Sequence, residues 1–409
     1  MSSEGGDQAG PLDGVRVLDL TRHMAGPYGT MFLADYGADV VKVESLPGGE
    51  PSRSTGTAFV NGESALFLIW NRGKRSLALD LRSDEGKAVV RRLARECDVL
   101  VENYKPGVAD EIGFGYEELS AENEGLIYVS VSAFGEGPLS PYPGTDPVVQ
   151  AMSGVMSVTG EPDGGPLLVG VPVADFTGAM VQAQAVMLGL LARHRTGRGQ
   201  KIDVSMLFAL LSSLTTRLAS YWTDHEDPKR YGSAHSVVCP YQAFKTADGY
   251  AVAGVWGAGE GWPKFCRAVG EPELADDERY LTNQQRVQRR AELSAHLDEV
   301  FITRTTAQWQ ESFGEHGALF GPVHTFSEIL NHPHVVQSGL IQSTDHPVAG
   351  EFPQLGPVIF LRDTPGRIAG APPLLGQHTR EVLGELGYGT DEIDAMIAAG
   401  KATEPQGDT

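Results

Sequence analysis

Residues 15–44 read VRVLDLTRHMAGPYGTMFLADYGADVVKVE, and this stretch decides the fold class. Val15 to Leu20 is a short aliphatic run of strand character. Pro27 to Tyr36 places apolar residues at helical spacing, and Asp39 to Glu44 (DVVKVE) is a second β-rich run. The alternation continues through Ser76 to Asp80, a helix opening at Ser83 with Asp84 and Glu85 in its first turn, Val99 to Glu102, and Leu126 to Ser132. Strand and helix in strict alternation predict an α/β fold built on a Rossmann-like, mostly parallel sheet. Ligand loops are then expected at the carboxyl ends of the strands.

The loops at those ends carry polar and basic residues. TRHMAGP follows the first strand; NRGKRS (71–76), ENYKPG (102–107) and SAFGEG (132–137) follow in order. Arg22, Lys42, Arg72, Lys74, Arg75 and Lys105 are thereby expected along one edge. Singly each reads as a solvated rim charge; together they point to a phosphate-bearing ligand. GxGxxG is absent, because Gly257, Gly259 and Gly261 have the wrong spacing, and so are the P-loop and the GxSxG elbow. These absences argue against a nicotinamide dehydrogenase, an NTPase and a serine hydrolase.

A second stretch, VPVADFTGAM (171–180), isolates one carboxylate, Asp175, between a Gly/Pro turn and a long apolar helix. LLVGVP (167–172) reads as a buried strand or extended segment. Phe176 to Arg193 reads as a buried helix with a basic last turn and a stop at Gly197. Asp175 is then expected at a helix N-terminus, where free N–H groups hold a carboxyl pKa down. Taken alone, an Asp at such a place reads first as a helix cap.

Composition narrows the class of ligand. The 409 residues suffice for two domains with substantial cores. A formal charge of −21 opposes nucleic acid or an anionic membrane as partner, so an anionic ligand needs a local basic cluster. Three cysteines without a CxxC pair suit a reducing compartment. The polar, acidic N-terminus is unlike a signal or transit peptide, and Gln182 and Gln184 interrupt the most apolar helix short of a membrane span. A cytoplasmic protein is expected. His332 and His334 lack a third ligand at convincing spacing, so no metal is expected.

The ordered motifs resemble the class III coenzyme A transferase family, which includes formyl-CoA and carnitine CoA-transferases and α-methylacyl-CoA racemase. They are PLDGVRVLDLTRHMAGP at 11, LADYGADVVKVE at 33, NRGKRSLALDL at 71, DVLVENYKPGV at 98, VADFTGAM at 173, TGRGQKIDVSM at 196, GPVHTFSEIL at 321 and GQHTREVLGELGY at 376. The resemblance implies an aspartate nucleophile at Asp175, with coenzyme A or acyl-CoA as a substrate and no tightly bound cofactor. It implies CoA contacts from Arg22, Met24, Ala25, Asn71, Lys74, Arg75, Asn103, Tyr104 and Lys105. Ser45 stands where several members have a basic residue, which leaves a phosphate contact to be replaced, with Arg53 as a candidate. Met24 stands where oxalate-using members have Gln; a thioether cannot donate to a small diacid, so a larger or more apolar acyl group is expected.

Farther along, Leu207 to Tyr221 reads as a helix, 223–236 as a linker, and Tyr241 to Lys245 with Tyr250 to Gly254 as a hairpin. The expected organisation is a large CoA-binding domain over 1–222, a small α+β domain over 237–354, and a return over 355–409 ending in a helix near Arg380 to Leu386 and a mobile acidic tail. In the resembling enzymes a glycine loop near Gly257 to Gly261 lies over the active site, and subunits interlock as homodimers. The expected activity moves CoA from an acyl-CoA to a free carboxylic acid through aspartyl anhydride and aspartyl-CoA thioester intermediates. Two alternatives stand beside it. A racemase would need bases on both faces of the α-carbon, and Thr145 replaces the His that resembling racemases carry beside GxD; a catalytically silent CoA-binding subunit is the other.

Overall fold

The computed structural model describes residues 9–256 and 259–405; Gly257 and Ala258, at the head of the glycine loop, lie outside the described residues. The chain divides into two compact units. The first comprises Met1–Val155, Val169–Ala219 and His334–Thr409, and the second Met156–Leu168 and Ser220–Pro333. The return to the first unit thus begins at residue 334, earlier than composition suggests, and 156–168 goes with the second.

The first unit is built on seven strands: β1 (Arg16–Asp19), β2 (Asp39–Ser45), β3 (Arg75–Leu79), β4 (Val99–Glu102), β5 (Ile127–Ser132), β6 (Gln200–Ser205) and β7 (Ala402–Thr403). Their order is β7-β3-β2-β1-β4-β5-β6. All pairs are parallel except β7 with β3. The fold class is therefore the expected mixed α/β architecture on a mostly parallel sheet. β1 is central, and strand order reverses direction beside it, so the loops after β1 and β4 flank a switch point where parallel sheets open a crevice.

Helix α1 (Ala25–Asp35) follows β1, and α2 (Asp84–Glu96) follows β3. Ser83 caps α2 by accepting from Gly86 N–H at 3.1 Å, with Asp84 and Glu85 in the first turn, as the sequence indicates. One core packs α2 and the C-terminal helices on the sheet through Val89, Val90, Leu93, Phe114, Leu383 and Leu386. The C-terminal segment is not simply a mobile tail: Thr390–Ala398 is helical, and β7 follows it onto the sheet edge, where pairing removes exposed backbone groups.

Helix α3 (Asp146–Met152) precedes α4 (Val173–Thr196), and α5 (Met206–Ser213) follows β6. α4 is long and apolar enough to cross a membrane by length and composition, contrary to the reading from its glutamines. It packs on α1, α5, β5 and β6, and its Gln182, fully buried, donates to Gly26 O at 3.1 Å. Glycine permits this approach: a Cβ at Gly178 would meet Met206 Cγ at 2.9 Å, and one at Gly29 on α1 would meet Gln182 Nε2 at 2.6 Å. Gly197, at φ 73°, ends the helix as read. The run 167–172 is no buried strand; Leu167, Leu168 and Val171 are exposed, and the segment is irregular.

The second unit holds an antiparallel three-stranded sheet of Tyr241–Lys245, Tyr250–Gly254 and Leu319–Pro322. Its core stacks Phe244 on Phe301 and gathers Trp262, Phe265, Trp309 and Phe313.

A fully buried charge cluster holds the centre of the first unit. Asp19, the last residue of β1, accepts from Lys74 Nζ at 3.0 Å, Thr30 Oγ1 at 2.7 Å and Thr21 N–H at 2.8 Å, with Lys42 Nζ at 4.0 Å. The two lysines and the hydroxyls outweigh burial and hold the Asp19 carboxyl far below its usual range. Asp19→Asn would strand two buried ammonium groups and is expected to cost about 3–5 kcal/mol. Glu118→Gln, at a half-exposed ion pair with Arg91, should cost under about 1 kcal/mol. Urea denaturation of the two variants beside the wild type checks the contrast.

Candidate active site

A cavity of about 390 Å³ opens at the carboxyl ends of β1, β4 and β5. Arg22, His23, Ala25, Asn103, Tyr104, Lys105, Thr145, Asp146, Asp175 and Met206 are among its lining residues. Three loops predicted from strand ends therefore meet one helix start.

The loops after β1 and β4 are stapled together. Arg22 N–H donates to Asn103 Oδ1 at 2.8 Å, and Asn103 Nδ2 donates back to Arg22 O at 2.7 Å. The Arg22 guanidinium lies over the Tyr104 ring at 4.8 Å, an attraction to the negative face of the ring that pre-orients its donors. Ala25 opens α1 at the cavity wall, so first-turn N–H groups with no carbonyl one turn back border the space.

Asp175 sits in the first turn of α4, yet it does not cap the helix. Asp146, carried by α3, does: its Oδ1 accepts from Ala174 N–H at 2.7 Å and from Asp175 N–H at 3.2 Å. Gln150, one turn along α3, donates to Asp146 Oδ2 at 2.7 Å and accepts from Val169 N–H at 2.9 Å, which clamps the segment leading into α4. With the N–H groups taken, no described residue donates to the Asp175 carboxylate. The expectation of a depressed pKa is overturned: burial, with the Asp146 charge added, pushes Asp175 up to about 6. Asp146 escaped sequence reasoning because the N–H groups it caps lie 28 and 29 residues away on another helix, and Gln150 because Val169 lies 19 residues away outside its helix. The Asp-Pro at the start of a short helix was their only local signal.

The other basic residues are not delivered to the cavity. Lys74 and Lys42 lie under it: Lys74 Nζ also reaches Pro27 O at 2.9 Å and Asn71 Oδ1 at 2.8 Å, and Lys42 Nζ reaches Thr21 O at 2.8 Å. Burial lowers the Lys74 ammonium to about 8 despite Asp19. Asn71 is thus a partner of Lys74 inside the protein. Arg72 is buried on Asp35 and Gln354. Arg75, first in β3, pairs with Asp39, Glu381 and Glu385 at the opposite end of the sheet. Arg53 is no substitute beside Ser45, since its guanidinium is doubly bound to Glu44 at 2.7 Å and to Pro373 O at 3.0 Å. Met24 immediately precedes α1 and is absent from the cavity lining; His23, which the sequence reading passed over, is present. Among the described residues there is no cluster of three metal-ligating side chains.

Comparison with known proteins supplies the context. Residues 12–379 match the model of CoA-transferase family III. The chain is 41% identical to mouse (Mus musculus) succinyl-CoA:glutarate CoA-transferase, covering 96% of this chain and 91% of the relative. It is 37% identical to the succinate–glutarate CoA-transferase of Agrobacterium fabrum, covering 92% and 96%. The crystal structure of a CAIB/BAIF family protein from Brucella suis superposes with a TM-score of 0.82 at 37% identity, covering 93% of this chain and all of that one.

An acid with a raised folded pKa stabilises the fold fully below its ordinary value, here 3.8, and that contribution is lost as pH rises through about 6. Asp175→Asn removes the cost of ionisation. At pH 8 it should be more stable than the wild type by on the order of 1 kcal/mol, allowing for partial exposure, with the gain gone below about pH 4. Denaturation midpoints at pH 4, 6 and 8 test this.

Proposed function

This chain belongs to the class III CoA-transferase family and is a CoA-transferase, and from that premise we propose that it moves CoA between dicarboxylic acids of succinate or glutarate size, with Asp175 as nucleophile. The observation that carries the mechanism is the division of labour between two aspartates. Asp146 takes the helix N–H groups, which leaves the Asp175 carboxylate without a hydrogen bond at the cavity wall. A partly desolvated carboxylate with no hydrogen-bond donor is a stronger nucleophile than a capping one.

In the proposed sequence, an Asp175 oxygen attacks the donor thioester carbonyl and the C–S bond breaks, giving an acyl-aspartyl anhydride and CoA thiolate. The thiolate attacks the aspartyl carbonyl, releasing the donor as its carboxylate and leaving an aspartyl-CoA thioester. The acceptor carboxylate attacks that thioester and expels the thiolate. The thiolate then attacks the acceptor acyl carbonyl and frees Asp175. No proton is consumed. The first-turn N–H groups of α1 at Ala25 suit the oxyanions formed along the way. Arg22 and Lys105, held beside Asn103 and Tyr104, suit the phosphates and pantetheine of CoA.

The names of the two curated relatives support the choice of acid. Of the two properties expected from Met24, a larger or a more apolar acyl group than oxalate, this reading takes the larger size. Asp175→Ala should remain folded and bind CoA but lose transfer by at least about 1,000-fold. Hydroxylamine added during turnover should convert residue 175 to a hydroxamate seen by peptide mass. Because only the ionised form attacks, kcat/KM should rise with pH through about 6. Retained turnover in the Ala variant would refute the covalent route.

The proposal includes a homodimer. Leu188 and Leu191 on α4 and Phe360 in the C-terminal segment are exposed at 66%, 59% and 75% in the single chain, which suits coverage by a second copy. Light scattering should give twice the chain mass at micromolar concentration; a stable monomer would count against it.

A further inference from the structure

A dicarboxylic acyl group brings a second carboxylate into a cavity that already holds Asp175 and Asp146. Like charge and partial desolvation make that group costly unless a cationic or hydrogen-bonding partner meets it. Three lining side chains can carry positive charge: Arg22, His23 and Lys105. Arg22 is laid on Tyr104 and stapled to the 103–105 loop, and it belongs with Lys105 to the surface read above as the CoA contact. His23 is the one left for the acyl end.

Its backbone conformation is unusual. His23 has φ 64°, in the left-handed region that side chains with a Cβ seldom adopt. Glycine would occupy that position without penalty, whereas a residue with a Cβ is held there by its surroundings, and such outliers concentrate at functional sites. The conformation is held from below. Buried Glu50 accepts the His23 N–H at 2.8 Å and the Ser52 N–H at 2.9 Å, and its own N–H donates to Glu44 Oε2 at 3.0 Å. Glu44 in turn is fixed by Arg53 and by Ser76 Oγ at 2.6 Å. The backbone is anchored through β2, while no described residue hydrogen-bonds to the imidazole ring itself.

We propose that His23 holds the distal carboxylate of the acyl group and is the residue that sets the preference for dicarboxylic over monocarboxylic acids. The assignment rests on the dicarboxylate reading of the previous section. It also gives a physical sense to Met24 beside it. The thioether cannot donate to a carboxylate and stays off the cavity, whereas its neighbour supplies the donor.

The test uses the full-length enzyme with succinyl-CoA as the common donor and two acceptors of equal chain length, glutarate and pentanoate. The acceptor kcat/KM ratio is measured for the wild type, His23→Asn and His23→Gly. Both replacements tolerate positive φ and keep the N–H bonded to Glu50, so folding is preserved, as thermal denaturation would verify. The expected result is a wild-type preference for glutarate that falls about 10-fold or more in both variants, through the glutarate KM and not through kcat. A wild-type preference that survives unchanged in both folded variants overturns the assignment to His23 and leaves the dicarboxylate reading standing. A wild type that does not discriminate overturns that reading, and the assignment with it.

Discussion

The buried carboxylate of Asp19 is the constraint on which the first unit depends. It ends the central strand, and four groups from separate segments converge on it: Thr21 from the loop, Thr30 from α1, Lys42 from β2 and Lys74 from the turn before β3. Those same lysines reach on to Thr21 O and Pro27 O. The loop after β1 and the start of α1 are therefore fixed relative to three strands by one ionic hub. Charges so deeply buried are a poor source of net stability compared with apolar packing, because desolvation offsets most of the attraction. What they do here is tie the loop that forms the cavity wall to β2 and to the turn before β3.

A second constraint sets the surroundings of Asp175. Helix α4 needs partners for its first N–H groups, and a carboxylate within its own first turn would be the usual source. Here the partner is Asp146, across on α3, held by Gln150. The consequence is electrostatic. Asp175 loses the hydrogen bonds that would keep it a weak, stable anion, and it gains a like charge nearby. The fold thereby sacrifices stability at the residue proposed to react, a common relation between stability and activity. The two devices meet in one cavity, since Asp19 orders its β1 side and Asp146 its α4 side.

Much of this architecture was legible locally. The alternation of short β-rich runs with amphipathic helices determined the parallel sheet, because period and length are properties of each segment alone. The Ser83 cap, the Gly197 stop and the hairpin of Tyr241–Lys245 with Tyr250–Gly254 were legible in the same local way. The carboxylate between a turn and an apolar helix marked Asp175 in the same way, and the ordered motifs marked the family. The run 167–172 misled because apolarity predicts burial only on average, and here Leu167, Leu168 and Val171 face outward. The C-terminal segment misled because its edge strand is two residues long and exists only through its pairing with β3.

What only the tertiary structure decided is where each charge is directed. In the sequence Arg22, Lys42, Arg72, Lys74, Arg75 and Lys105 look alike, a basic side chain near a strand end. In the fold two face the cavity, three are buried on Asp19 or Asp35, and one pairs at the far end of the sheet. A long flexible side chain can point either way from the same backbone position, and its partner lies tens to hundreds of residues off, so no local pattern records the choice. The same holds for His23 and Asp146. Residue type and neighbours fix what they can do chemically, but the strained backbone of one and the cross-helix bonds of the other arise only when distant segments are brought together.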